Sequence, residues 1–146
     1  MKRAVKAVAS ALLALLLAFF PVCFLTNDRS AQAVADGLAA LPLPEDTQRL
    51  ETVSRAGKLA GCGNGMQYFG AILLESPLTL EELDAYYAPY RADEWSCVVE
   101  RQEGQEIRAV EHGGLSFSAP VGERCYVVYS WGEGVELFAL LDPRGH

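Results

Sequence analysis

The sequence predicts an α+β domain, a mainly antiparallel sheet of five to six strands with one helix packed on one face, preceded by an N-terminal transmembrane helix. Three observations predict it. An uncharged apolar run lies near the N-terminus, a helix-capping motif lies at residues 79–82, and alternating apolar segments are separated by short glycine-rich turns. The elements are expected in the order β-β-α-β-β-β after the first helix. Because short turns join antiparallel strands and parallel strands need long crossovers, the sheet should be mainly antiparallel.

The first element is predicted to be a membrane-spanning helix over residues 7–25. These nineteen residues carry no charge, and Lys2, Arg3 and Lys6 precede them. A helix of this length rises roughly 29 Å, which matches the ~30 Å hydrocarbon core of a bilayer. The three cations favour a cytoplasmic N-terminus, which places the remaining chain outside the cytoplasm.

A cleaved secretory signal is the alternative interpretation of this segment. Ala31 and Ala33 form the A-x-A pattern of a signal-peptidase site, so cleavage after Ala33 would release a secreted protein. Two features oppose cleavage: the apolar run is longer than that of a typical signal, and Asp28 and Arg29 separate it from the site. We therefore expect an uncleaved signal-anchor over residues 1–27.

Residues 28–45 are predicted to form a juxtamembrane spacer in front of the domain at residues 46–146. Ser30 can begin a short helix in this spacer, which is separate from the membrane helix. Pro42 and Pro44 then force an extended chain, because proline fixes its own φ and biases its predecessor away from the helix.

The domain after the apolar run is strongly acidic. Beyond Thr26, nine Lys and Arg stand against nineteen Asp and Glu, a net charge of −10, and the basic residues form no cluster. A surface of this charge repels nucleic acid, so we expect no nucleic-acid partner. The acids match no calcium-loop pattern, and a solvated surface is the simpler interpretation.

The strands of the domain are predicted from apolar periodicity. They are expected at residues 52–60, 66–75, 95–101 and 125–131, with weaker strands at 107–110 and 115–118 and a last strand, or less favourably a short helix, at 135–141. Asn64-Gly65 favours a hairpin between the first two strands. Residues 66–75 are apolar on both faces, as in a buried central strand, and Gly70 within them indicates a bulge or a close backbone contact.

The helix of the domain is predicted from its ends. Thr79 and Glu82 form a capping box, in which each side chain satisfies the backbone amide of the other residue. The helix should therefore begin at residue 80 and end near residue 88, because Pro89 follows. Its buried face is expected to include Leu80, Leu83 and Tyr87.

Two stretches carry a resemblance to a group of bacterial proteins. They read K-L-x-G-x-G-N-G-M-Q-Y-F-G-A-I-L over residues 58–73 and L-T-L-E-E-L-x-x-Y-Y over residues 78–87. Together with Y-S-W-G at 129–132 and D-P-R-G-H at 142–146, they resemble small membrane-anchored or secreted proteins of Gram-positive gut bacteria. That group has no assigned activity, so the resemblance implies only a fold and a location.

Cys62 is the candidate reactive thiol of the chain. It lies in the glycine turn at residues 61–65, where an exposed side chain is expected. A cysteine nucleophile needs a nearby base, and only His112 and His146 could supply one. Nothing in the sequence brings either histidine close, so a cysteine-dependent hydrolase or redox protein remains the alternative to an incidental turn cysteine.

Cys97 and Cys125 are candidates for a disulfide. Both occupy inward-facing strand positions, and a bridge between distant strands is chemically allowed outside the cytoplasm. The alternative is two buried thiols that pack as small apolar side chains. No spacing typical of zinc ligands, a phosphate loop or a dinucleotide fingerprint is present, so we expect neither a metal nor a cofactor.

The function expected from the sequence is that of a non-enzymatic binding or accessory module of the bacterial cell envelope. No residues stand in a spacing typical of a catalytic centre. The aromatic residues around position 90, Tyr86, Tyr87, Tyr90 and Trp95, could present a surface to a ligand or partner. The expected partners are the lipid bilayer, through the N-terminal helix, and a cell-envelope protein or small ligand. An inert folded spacer is a third interpretation.

Overall fold

The computed structural model describes residues 2–146, apart from the side chains of residues 2–4, 12 and 16. Its elements are α1 (Lys2–Ala39), β1 (Gln48–Gly57), β2 (Gln67–Glu75), α2 (Leu80–Tyr87), β3 (Val98–Arg101), β4 (Cys125–Gly132) and α3 (Glu136–Leu141), with 3-10 turns at Ala88–Tyr90 and Pro143–Gly145. The predicted α+β class is confirmed, and so is the apolar N-terminal helix.

One antiparallel sheet forms the centre of the domain, with the strand order β1-β2-β4-β3. It has four strands, not the five to six that the sequence predicts. Residues 107–110 and 115–118 form no strand, because they lie across one face of the sheet as an apolar cover, joined by a single bridge between Glu106 and Ser116. Residues 135–141 contain the short helix α3, since Leu and Ala favour a helix once Gly134 ends the preceding turn.

Two cores lie on opposite faces of the sheet. The irregular segment after β3 covers the first core, whose fully buried members include Phe69, Leu73, Ile107 and Phe117. The helices cover the second core, which includes Ile72, Leu74, Leu83, Tyr87 and Val128. Two helices, α1 and α2, pack on this second face, where one was expected.

Helix α1 has an exposed N-terminal part and a C-terminal part that packs on the sheet. Every described side chain from residue 5 to residue 22 is exposed, and the helix is long and apolar enough to cross a membrane or to act as a signal sequence. From Cys23 onward, one side of the helix is buried on the sheet at positions four or three apart: Cys23, Asn27, Ala31, Ala35 and Leu38.

The expected spacer is therefore helical as far as Ala39 and packs against the domain. Ser30 does not begin a new helix: its hydroxyl donates to the carbonyl oxygen of Thr26, one turn earlier in α1. The charged residues Asp28 and Arg29 lie on the exposed side, so they do not interrupt the helix. The helix ends three residues before Pro42, as the proline pair requires.

Close packing of α1 on the sheet depends on glycine. A Cβ atom at Gly70 would overlap the backbone of Ala35, and one at Gly132 would overlap the side chain of Val34. Gly70 therefore marks the close backbone contact that the sequence indicated, at the centre of β2.

Helix α2 forms as predicted. The Thr79 hydroxyl accepts from the Glu82 amide at 3.3 Å, and the Glu82 carboxylate accepts from the Thr79 amide at 2.8 Å. This backbone hydrogen bond is the main cause that lowers the pKa of Glu82. The helix buries Leu83 and Tyr87, while Leu80 is partly buried beside them.

Candidate functional site

An open cleft of about 540 Å³ lies at the end of the sheet where β2 begins and β4 ends. Aromatic residues and short loops form its wall. The residues that line it are Ala60, Gly61, Met66, Gln67, Tyr68, Trp95, Ala109, Glu111, Tyr129, Trp131 and Gly132. Both tryptophans of the chain are therefore in this one cleft.

Packing against β2 holds the aromatic residues of β4. The ring of Trp131 meets the ring of Phe69 edge-on, with centroids 4.9 Å apart, and Tyr129 lies 5.6 Å from the same ring. The Tyr129 hydroxyl donates to Glu100 at 2.8 Å. Burial is the main cause that raises the pKa of Tyr129, and the bond to Glu100 adds to it. Trp131 and Tyr129 thus form a fixed, uncharged aromatic wall.

Trp95 reaches the cleft through the turn that precedes β3. Its carbonyl oxygen accepts from the Trp131 amide at 3.0 Å, and its amide donates to the Asp93 carboxylate at 2.9 Å. Cys97 has φ +50°, and this turn interrupts the alternation expected from residue 95. The strand therefore begins at Val98, and Trp95 lies at the cleft with 59% of its surface exposed.

Glu111 is the acidic residue of the cleft. Its Oε2 atom accepts from the Gly61 amide at 2.8 Å, which ties the glycine loop to the segment that covers the sheet. The amide of Glu111 donates to the Leu59 carbonyl oxygen at 2.7 Å. No Lys or Arg lines the cleft among the described residues. Its charge therefore comes from this carboxylate alone.

The loop of Cys62 adjoins the cleft through Gly61. Cys62 is exposed, and the Nε2 atom of His112 lies 2.9 Å from the Gly61 carbonyl oxygen. Since a carbonyl oxygen only accepts, Nε2 donates there, and the neutral ring keeps its lone pair on Nδ1. His112 therefore lies in the same neighbourhood as Cys62, which the sequence alone did not establish. His146 bonds to Leu140 O at 3.1 Å instead.

Cys97 and Cys125 lie in different cores, on opposite faces of the sheet. The Cys97 amide donates to the hydroxyl of Ser130, which lies five residues after Cys125 along β4. Five strand residues span roughly 17 Å, far beyond the ~7 Å limit for bridged Cα atoms. The structure does not form this candidate disulfide, and both residues are buried thiols, as in the alternative interpretation.

A buried polar cluster joins α1 to the C-terminal turn, and the sequence analysis missed it. The Tyr68 hydroxyl donates to the side-chain oxygen Oδ1 of Asn27 at 2.8 Å, and the side-chain nitrogen Nδ2 of Asn27 donates to Asp142 at 2.8 Å. Arg144 donates to Asp142 and to Asp28, each at 2.7 Å. Asn27 and Asp142 are fully buried.

Opposing effects act on the pKa of Asp142 in this cluster. Burial acts to raise the pKa of Asp142, but hydrogen bonds from Arg144 and Asn27 outweigh it and hold the pKa below its usual value. The bond to Asp142 is likewise the main cause that raises the pKa of Arg144. The cluster therefore contains the ion pair of Asp142 and Arg144, and its bonds to Asn27 and Asp28 fix α1 to the C-terminal turn.

Metal ligation finds no support in the described residues: across residues 2–146, His, Cys, Asp and Glu form no group of three placed to hold an ion. Comparison with known proteins gives no relative. No protein-family model matches the chain, and neither a curated protein nor a solved structure matches it.

Proposed function

We propose that this chain is a membrane-anchored extracytoplasmic binding module of a bacterial cell envelope, and that the aromatic cleft holds its ligand. One observation carries the proposal: Trp95 and Trp131, from separate parts of the chain, are brought together at an open cleft. A tryptophan as exposed as Trp95 gains only part of the stability that full burial would give, so a binding role accounts for it better than a packing role.

The exposed half of α1 supports the anchor. An apolar helix with all its described side chains exposed from residue 5 to residue 22 is unfavourable in water, and a bilayer removes that cost. Lys2, Arg3 and Lys6 favour a cytoplasmic N-terminus, with the sheet outside.

The packing of α1 also favours an anchor that stays attached. Cleavage after Ala33 would remove Asn27 and Ala31, both fully buried, and would break the polar cluster around Asp142. It would also uncover part of the sheet face. A mass measurement on protein extracted from membranes tests this: we expect residues 1–33 to be retained, and a chain that begins at residue 34 contradicts it.

The charge of the cleft selects the ligand class. The faces of Trp95 and Trp131 attract organic cations, and the Glu111 carboxylate adds a negative charge beside them. The domain beyond Thr26 carries a net charge of −10, which repels anions. We therefore propose a small organic cation, or a cationic group on a larger ligand, as the occupant.

Tryptophan emission tests this directly, because both tryptophans lie in the cleft. Full-length protein in phosphatidylglycerol nanodiscs is titrated with choline and with 3,3-dimethylbutan-1-ol, its neutral isostere. We expect a saturable change with choline and about tenfold weaker binding of the isostere, the size of a cation–π contact at a partly exposed site. Emission unchanged by choline, or equal binding of both probes, contradicts the proposed ligand class.

Two variants locate the binding. Trp95→Ala should weaken choline binding about tenfold, because it removes one aromatic face of the cleft. Tyr90→Ala is the matched control, since Tyr90 is an exposed aromatic residue that does not line the cleft. A loss of similar size in both variants would show that the cleft is not the binding site.

The contact of His112 with the loop of Cys62 favours a second candidate, a cysteine-dependent hydrolase or redox protein. If His112 activates the thiol, His112→Ala should slow iodoacetamide alkylation of Cys62 several-fold. His146→Ala is the control, because His146 bonds elsewhere. Wild-type alkylation no faster than that of free cysteine would exclude this candidate.

A further inference from the structure

Helix α3 and the residue before it expose a group of large apolar side chains. The exposed fractions are 49% for Val135, 58% for Leu137, 67% for Leu140 and 41% for Leu141. These four are half of the eight large apolar side chains exposed after Leu25 in the described chain. Phe138, by contrast, is partly buried and faces α1.

The position of α3 is fixed by two contacts with α1. The ring centroids of Phe138 and Phe19 lie 6.1 Å apart, and the side-chain nitrogen Nδ2 of Asn27 donates to the Phe138 carbonyl oxygen at 3.1 Å. Helix α3 therefore lies beside α1 between residues 19 and 27. That is where the uncharged apolar run ends, so the exposed apolar side chains of α3 lie beside the end of this run.

The length of α1 sets the depth of this point in a bilayer. Phe19 lies thirteen positions after Lys6 in the helix, a rise of roughly 20 Å, whereas the hydrocarbon core is ~30 Å thick. With Lys6 at the inner boundary, the outer boundary falls near Thr26, above Phe19. Tilt of the helix would move this boundary further along the chain.

We propose that α3 is seated in the outer boundary of the lipid bilayer, with Leu137, Leu140 and Leu141 in contact with acyl chains. This inference rests on the anchoring of α1 proposed above. The only charge within α3 is Glu136, so apolar contact rather than attraction to anionic headgroups holds it there. The cluster of Asp142, Arg144 and Asp28 then lies at the polar side of the boundary.

Site-directed spin labels test the depth of α3 in the full-length chain. The chain carries Cys62→Ser, which removes the exposed thiol, and is reconstituted in phosphatidylcholine nanodiscs. One label is placed at Leu140→Cys. Leu13→Cys reports on the anchor, and Gln105→Cys reports on water, because residue 105 is exposed near the start of β4, at the opposite end of the sheet from α3.

We expect the label at position 140 to favour oxygen over a water-soluble nickel chelate, as the label at position 13 does, and position 105 to do the reverse. Replacing half of the lipid with phosphatidylglycerol should leave the reading at position 140 unchanged. A nickel accessibility at position 140 equal to that at position 105, with position 13 in hydrocarbon, overturns the inference and leaves the anchor standing. Nickel access at position 13 overturns both.

Discussion

The side-chain amide of Asn27 donates to the carboxylate of Asp142 at 2.8 Å, although the two residues are 115 positions apart in the chain. Asn27 lies in α1 at the end of the apolar run, and Asp142 begins the C-terminal turn. The bond therefore links α1 directly to the C-terminal turn. The helix and the C-terminal turn should therefore unfold together, in one cooperative step.

Asn27→Leu should destabilise the domain by about 2–4 kcal/mol, because it leaves the Tyr68 hydroxyl without its acceptor and Asp142 with one donor fewer in a buried site. Thermal unfolding measures the loss. Gln32→Leu is the control, since Gln32 is exposed on the same helix, and it should cost less than about 1 kcal/mol. Equal costs would show that the buried cluster adds nothing.

Acid should destabilise the protein through Asp142. The folded state holds the pKa of Asp142 below its unfolded value, so the stabilisation is present above the unfolded pKa and disappears as pH falls through the folded pKa. We expect Asp142→Asn to flatten the dependence of the unfolding free energy on pH below about pH 4. Glu45→Gln, at an exposed carboxyl outside the cluster, is the matched control. An unaltered slope in the Asp142 variant would contradict the ion pair.

Two glycines should respond to alanine in opposite directions. Gly70→Ala places a Cβ against the backbone of Ala35 and should cost about 1–3 kcal/mol, the range found for overpacked cores. Gly37 lies on the exposed face of α1, where an added Cβ meets open space. Gly37→Ala should therefore stabilise by about 0.5–1 kcal/mol. Thermal unfolding of both variants decides the matter. A tolerated Gly70→Ala would contradict the close packing of α1 on β2.

Tyr87→Phe should be neutral or stabilise by up to about 1 kcal/mol. The Tyr87 hydroxyl is buried without a hydrogen-bond partner in the described part of the chain, and burial raises its pKa to about 12. Tyr126→Phe is the opposite case, because the Tyr126 hydroxyl donates to the Leu78 carbonyl oxygen at 2.9 Å. Denaturant unfolding should show a loss of about 1 kcal/mol there. A destabilised Tyr87→Phe would indicate a partner for its hydroxyl.

Local signals predicted the parts of the fold that depend on neighbouring residues. The capping box of Thr79 and Glu82 gave the start of α2, and the two-sided apolar run around Gly70 gave the central strand. The apolar periodicity from Cys125 to Trp131 gave strand β4. Each of these features is set within about ten residues of sequence.

The remaining features depend on contacts between distant residues. Asp28 and Arg29 resemble the end of a membrane helix, yet they occupy the exposed side of a helix that continues to Ala39. The spacing of Asn27, Ala31 and Ala35, four residues apart, is the signal that could have shown a packed face.

The cysteines and the cleft show the same limit. Alternation indicated that Cys97 and Cys125 are both buried. It does not show whether the two side chains lie on the same face of the sheet or on opposite faces. The turn at Cys97 brings Trp95 to Trp131 through one backbone bond, and no pattern in the sequence reveals that bond.

The continuity of α1 limits where the cleft can go. A domain on a flexible tether samples a wide volume, and its reach grows with the length of the tether. Here the helix enters the sheet domain without an intervening linker between Lys2 and Ala39. An anchored copy would hold its two tryptophans at a constant height above the lipid, so a soluble ligand or a protein partner would have to reach that plane.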